Sequence, residues 1–142
     1  MRIAVVGAGG QLAAAVAHAC APAHEVIAFT RVDLDVTDDR AVAEAIGAAR
    51  PEIIVNGAAL TDVDAAEDRP VDALNVNAFA VRALARAAQA HGAALVHFST
   101  DFVFNGRAST PYGEDDRPSH ECFCGPGSGD ARVDRRGICF CS

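Results

Sequence analysis

A chain of 142 residues has length for one domain with a sizeable core and not for two. Twelve basic residues, all of them Arg, against nineteen acidic ones leave a formal charge of −7, which argues against a non-specific nucleic-acid or anionic-membrane binder. No apolar run reaches the roughly 18 to 20 residues of a membrane span and no secretory leader pattern opens the chain, so the expectation is a soluble cytoplasmic protein.

Arg2-Ile3-Ala4-Val5-Val6 is a short apolar run closed by glycine, the pattern of a parallel strand covered on both faces. Gln11 to Ala21 reads as a helix, and Val26-Ile27-Ala28-Phe29 as a second buried strand closing at Thr30-Arg31. Strand, helix and strand make one crossover unit. Thr37 or Asp38 caps the next helix, whose apolar positions Val42, Ile46 and Ala49 recur at helical spacing until Pro51 stops it. Ile53-Ile54-Val55 is the third strand. Past the acidic stretch Asp62 to Asp68, Val71, Leu74, Ala78, Val81, Leu84 and Ala88 mark one face of a single long helix ending near Gly92. Leu95-Val96-His97-Phe98 is the fourth strand.

This alternation predicts an α/β fold built on a doubly wound parallel sheet, with ligands at the carboxyl ends of the strands. Every strand ends in small or polar residues: Gly7, Thr30-Arg31, Asn56 to Ala59, and Ser99-Thr100-Asp101. Those ends should converge on one crevice.

The loop Gly7-Ala8-Gly9-Gly10-Gln11-Leu12-Ala13 stands between strand and helix, where glycines let backbone amides approach a pyrophosphate and the helix N-terminus adds its dipole. A merely structural turn is the plainer alternative. At the end of the second strand a carboxylate would bind a ribose diol and repel a 2'-phosphate. Thr30 and Arg31 stand there instead, which favours NADPH, although Asp33 and Asp35 lie close by and Arg31 also reads as a solvated loop residue. Asp35-Val36 can face an adenine. Asn56 to Thr61, small at Gly57, Ala58 and Ala59, can pass a ribose and pyrophosphate or simply keep the sheet end compact. Asn77 reads as structural. Thr100 offers a hydroxyl that can hydrogen-bond a carbonyl oxygen as it gains a proton, though Ser-Thr-Asp is also a common strand-to-loop cap. The histidines and acidic pairs form no metal-ligand spacing, so no metal is expected.

Together these motifs resemble the dTDP-4-dehydrorhamnose reductases of the extended short-chain dehydrogenase/reductase group. The resemblance rests on Gly7 to Leu12, Asp33 to Asp38, Arg50 to Asn56, Thr61 to Glu67, Asn75 to Ala78, Ser99 to Gly106 and Pro111 to Asp116, in order along residues 1 to 117. It implies a Rossmann-type fold and reduction of the 4-keto group of dTDP-4-dehydro-L-rhamnose, a dTDP-sugar, by hydride from NADPH or NADH. It also allows a homodimer. Carried onto matching positions, Gly10, Gln11, Leu12, Thr30, Asp35, Val36, Ala59, Leu60, Thr61 and Phe98 line the cofactor. Thr100 is then the catalytic hydroxyl and contacts the substrate with Asp101. Position 30, often Asp in the family, is Thr here.

One departure is larger than the match. The family protonates its substrate with a Tyr-x-x-x-Lys pair, in which Lys lowers the Tyr pKa. This chain has one tyrosine, Tyr112, followed four residues later by Asp116, and no Lys anywhere. The expectation is a truncated Rossmann domain over 1–117, inactive as it stands, or else a non-catalytic nucleotide-binding module of the same fold. Residues 118–142 change character: Cys122, Cys124, Cys139 and Cys141 crowd there, whereas Cys20 is alone before them. The Cys-x-Cys pairs depart from the wider spacing of zinc knuckles. The expectation for this tail is a disordered or misframed segment.

Overall fold

A computed structural model describes residues 1–100, 104, 105, 107–113, 115 and 116, together with the backbone of two short strands near the end. The chain divides into two units, Met1–His97 and Phe98–Ser142.

The first unit is built from four parallel strands: β1 (Arg2–Val6), β2 (Glu25–Phe29), β3 (Ile53–Asn56) and β4 (Ala94–His97). Their order is β2-β1-β3-β4. The chain steps from β1 to one neighbour, then crosses back to the other side of β1. That reversal creates a switch point between β1 and β3, the place where open α/β sheets bind ligands. The expected α/β doubly wound sheet is therefore what the chain forms.

Alternation along β1 and β3 explains why both of their faces are covered, whereas β2 and β4, expected as buried strands, lie at the sheet edges and hold no fully buried residue. Ile3, Val5 and Val55 pack with Ala13 under α1 (Gln11–Cys20), joined by Val16, Ala17, Cys20, Val26 and Ile53. Ala4, Val6 and Ile54 point the other way. They pack against Val42 and Ile46 of α2 (Asp39–Ala49) and against Ala83, Leu84, Ala87 and Ala88 of α5 (Ala80–His91). Leu34 is buried in this second cluster although it belongs to no regular element.

Asp38 caps α2, its carboxylate accepting from the amides of Arg40 and Ala41. The helix ends on Arg50 at φ 45°, a left-handed conformation that disfavours a residue with a Cβ. Arg50→Gly should therefore stabilise the fold by about 1 kcal/mol, read as a rise of a few degrees in the thermal midpoint. An unchanged or lower midpoint would show that the Arg50 side chain contributes more than its backbone costs.

The acidic stretch is helical, α3 (Val63–Asp68), capped by Asp62 through the amide of Ala65. The single long helix expected from the apolar spacing is instead α4 (Pro70–Leu74), a π-helical turn over Asn75–Phe79, and α5. In the π turn the amide of Ala80 reaches back five residues to the carbonyl of Asn75. The extra residue rotates everything before it about the axis. The expected stripe is buried only from Val81 onward. Val71 and Leu74 are 67% and 39% exposed, which corrects their assignment to the core. Gly92 closes α5 at φ 69°, as the sequence indicates. The fourth strand is Ala94–His97, so Phe98 lies beyond it.

In the second unit, Phe104 stacks on Tyr112 with centroids 4.2 Å apart. A two-residue antiparallel ladder joins β5 (Arg132–Val133) to β6 (Cys139–Phe140). The other residues of the 118–142 tail lie outside the described set. Among the described residues no helix is long and apolar enough to cross a membrane, and no group of three or more His, Cys, Asp or Glu is placed to hold a metal.

Candidate cofactor site at the strand ends

Strand register brings the carboxyl ends level: Val6 pairs with Phe29 on one side and Asn56 on the other, and Asn56 pairs with His97. Hydrogen bonds extend this pairing into the loops. Ala8 N–H donates to the Phe29 carbonyl and Gly57 N–H to the Val6 carbonyl, both at 2.9 Å.

The glycines of the first loop have different duties. Gly7 is at φ 77°, and a Cβ there would lie 2.6 Å from the backbone nitrogen of Ala58. It lets the loops after β1 and β3 touch. Gly57 does the same toward α1, where a Cβ would come within 2.8 Å of the Ala13 Cβ. Ala13, read from sequence as the small residue for close helix–strand packing, is 1% exposed. Gly9 is different: a Cβ there would meet nothing within 4 Å. Gly10 is the N-cap of α1 in extended conformation, and no side chain caps the helix. The first-turn amides of α1 thus lack intrahelical acceptors and a side-chain cap, and Gln11 and Leu12 are exposed there. A pyrophosphate fits such a place by charge and by room.

At the end of β2, Thr30 donates both its amide (2.9 Å) and its hydroxyl (2.6 Å) to one carboxylate oxygen of Asp33. These bonds hold the Asp33 carboxyl below its usual pKa of 3.8. Asp35 is likewise lowered, first by the hydroxyl and amide of Thr37 and more weakly by Arg31. Its carboxylate is turned into its own turn. Val36 is half-buried against the core, and Arg31 is exposed.

After β3 the loop is pinned at two points. Asn56, 1% exposed, accepts the Ala58 amide on Oδ1 at 3.0 Å. Asn77, from the π turn, forms a paired bond with Leu60: Oδ1 accepts its amide at 2.8 Å and Nδ2 donates to its carbonyl at 3.0 Å. Ala59 and Thr61 stand exposed next to these anchors. The sequence carries no local sign of this contact of Asn77, because the link spans seventeen residues and depends on the π turn.

Asn56 also fixes a histidine. With Oδ1 committed to Ala58, the Asn56 NH2 group faces His97 Nδ1 at 3.2 Å, so that nitrogen must accept. Burial lowers the His97 pKa below the usual 6.5. The unfolded chain then takes up the proton first, so this contribution to stability is complete above about pH 6.5 and is lost as the pH falls below it. The thermal midpoint should fall with pH in that window, and less steeply in His97→Gln. The effects of Asp33 and Asp35, with lowered pKa values, belong to a separate window below their usual 3.8. Equal slopes in both proteins near pH 6 would contradict the assignment.

Of the remaining expected site residues, Phe98 and Thr100 fall in the second unit, and Asp101 lies outside the described residues. Tyr112 is engaged in closing its own loop: its hydroxyl donates to Asn105 at 3.0 Å and accepts from the amide of Ala108 at 3.2 Å. Asp116, four residues on, accepts the Gly113 amide at 2.7 Å. An open cavity of about 630 Å³ lies at the opposite end of the sheet, lined by Arg2, His24, Glu25, Arg50 and Glu52. It is remote from every strand carboxyl end, and Arg2 is paired there with Glu25 at 3.0 Å.

Sheet order, glycine loop and pinned second loop define a Rossmann-type α/β protein. The RmlD substrate binding domain model matches residues 1–126, nine past the expected boundary at 117, and the chain belongs to this dTDP-4-dehydrorhamnose reductase family. It is 44% identical over 117 residues to the dTDP-4-dehydrorhamnose reductase of Sinorhizobium fredii, covering 82% of this chain and 40% of that protein. To the Escherichia coli reductase it is 42% identical over 120 residues, with the same two shares covered, 82% and 40%. Among solved structures, the reductase from Bacillus anthracis in complex with NADP superposes with a TM-score of 0.78 at 36% identity, over 82% of this chain and 42% of that one. A reductase from Clostridium acetobutylicum gives 0.79 at 37%, over 84% and 43%. The chain therefore spans about 40% of the length of the curated relatives it matches.

Proposed function

We propose that this chain is the dinucleotide-binding part of a cytoplasmic dTDP-4-dehydrorhamnose reductase, and that as a 142-residue chain it binds NADPH or NADH without reducing a sugar. The observation that carries the reading is the open shelf at the β1/β3 switch point, where Gly9 leaves free space beside the uncapped amides of α1. Gly7, Gly10, Gln11 and Leu12 would hold the pyrophosphate. Thr30, Arg31, Asp35 and Val36 would meet the adenosine end. Ala59, Leu60 and Thr61 would meet the nicotinamide end, with Leu60 held in place by Asn77. When bound, the dinucleotide supplies a hydride. The chain's part in reduction would be the Thr100 hydroxyl, hydrogen-bonded to the 4-keto oxygen of the dTDP-sugar, with Asp101 beside it. That hydroxyl alone holds a ground-state oxygen but is a weak proton donor at neutral pH.

Two observations support the inactive half of the reading: no Lys occurs in the sequence, and both hydrogen-bonding capacities of the Tyr112 hydroxyl are spent within its own loop. The same observations favour a second reading, a non-catalytic nucleotide-binding module of the same fold; a homodimer is a separate part of the proposal. Purified chain titrated with NADPH should quench or shift cofactor fluorescence saturably. Addition of dTDP-4-dehydro-L-rhamnose should leave NADPH absorbance constant. Steady oxidation would overturn the inactivity, and failure to bind either NADPH or NADH would overturn the cofactor reading. Sedimentation of the same preparation tests the dimer.

A further inference from the structure

The end of β2 carries an unexpected arrangement. Thr30 occupies the position from which a strand-end carboxylate would meet the adenosine ribose, and it has no charge. Yet the site is not free of a carboxylate. Asp33 folds back so that one oxygen, Oδ2, accepts both the amide and the hydroxyl of Thr30, at 2.9 and 2.6 Å. The turn that returns it is fixed by the amides of Asp33 and Leu34 donating to the Thr30 carbonyl at 3.1 and 3.0 Å. Leu34 anchors that turn, being 4% exposed in the core between sheet and helices. The second oxygen, Oδ1, accepts no hydrogen bond among the described residues. Asp33 itself is exposed.

We propose that Asp33 sets this chain's preference between dinucleotides, its free oxygen accepting from a ribose diol and its charge opposing a 2'-phosphate. The inference rests on the cofactor reading above. Thr30 acts as the positioning residue, since its two donors aim the carboxylate. Arg31, exposed in the same turn, acts with the opposite sign and attracts a 2'-phosphate. The pair of opposed charges leaves the native chain able to hold either form. Removing one of them should make it choose.

The test is the ratio of dissociation constants for NADH and NADPH, measured by cofactor fluorescence with the full chain and its Asp33→Asn variant. The carboxamide oxygen of Asn still accepts from Thr30, so the turn is retained while the charge is lost. The ratio should move toward NADPH by about tenfold, the size expected from one like-charge contact in partly screened surroundings. Asp33→Ser, which keeps a turn-forming acceptor without charge, should move it in the same direction. Raised salt should shrink the difference between native and variant. Binding of both dinucleotides with a ratio unchanged in both variants would overturn the role of Asp33 and leave the cofactor site standing. Failure of the native chain to bind either dinucleotide would overturn the cofactor reading, and this inference with it.

Discussion

Gly7→Ala should lower the thermal midpoint by on the order of 10 °C or more, whereas Gly9→Ala should leave it nearly unchanged and weaken NADPH binding instead. The two glycines are two residues apart in one loop, so the contrast separates architecture from recognition. At Gly7 an added methyl meets backbone: a Cβ would stand 2.6 Å from the Ala58 nitrogen and 2.8 Å from its Cα, atoms that move only if the β3 loop moves. The left-handed φ of 77° adds its own penalty for any residue with a Cβ. Together these cost about 2 to 4 kcal/mol. At Gly9 nothing lies within 4 Å of the added Cβ, so folding is affected by less than about 0.5 kcal/mol. The methyl would occupy the space a pyrophosphate needs. Affinity for NADPH should drop about tenfold, equivalent to about 1.4 kcal/mol. The measurements are thermal melts and fluorescence titration of both variants. A Gly9→Ala protein that binds as well as the native chain would mean that the open space is not a binding surface.

Asn56→Leu should destabilise the chain by about 2 to 4 kcal/mol, since two polar partners lose their bonds in buried or half-buried surroundings. The Ala58 amide loses its acceptor and His97 Nδ1 loses its donor. The loop that presents Ala59 to Thr61 then keeps only its Asn77 anchor, and NADPH affinity should fall along with stability. Asn56→Asp separates the two bonds. A carboxylate still accepts the Ala58 amide but offers no donor to His97 Nδ1, so the contact returns only with a proton on that nitrogen, and the new negative charge favours the doubly protonated ring. Its pKa should rise relative to the native protein, where burial holds it below 6.5. Titration of the His97 ring resonances by NMR checks this, and an unmoved or lower pKa in the variant would refute the hydrogen-bond assignment.

Much of the fold could be read locally. Each strand is a short run of apolar residues ending in a small or polar one, and the Asp38 cap and Gly92 stop obey rules that need only a few neighbouring residues. The strand ends that form the candidate shelf were legible for the same reason. What escaped depends on contacts distant in sequence or on a change of period. Nothing in Asn75 to Phe79 announces a π turn, and a 3.6-residue stripe drawn through it assigns Val71 and Leu74 to a core they do not reach. Asn77 became a site-supporting residue only because that turn delivers it to Leu60. Asn56 resembles any strand-end amide until β4 brings His97 beside it. At the end of β2 the sequence offered Thr30, Arg31, Asp33 and Asp35 side by side. Only the turn anchored by Leu34 distinguishes Asp33, folded onto the strand end, from Asp35, closed onto Thr37.

Amide shift mapping by NMR with NADPH added to the full chain tests the central claim most directly, because it reports where a dinucleotide lies without requiring turnover. The account predicts saturable shifts at Gly9, Gly10, Gln11 and Leu12 and at Ala59, Leu60 and Thr61, the two loops that meet at the β1/β3 switch point. Shifts confined to the opposite end of the sheet, around Arg2, His24 and Arg50, or none at all at saturating NADPH, would contradict it.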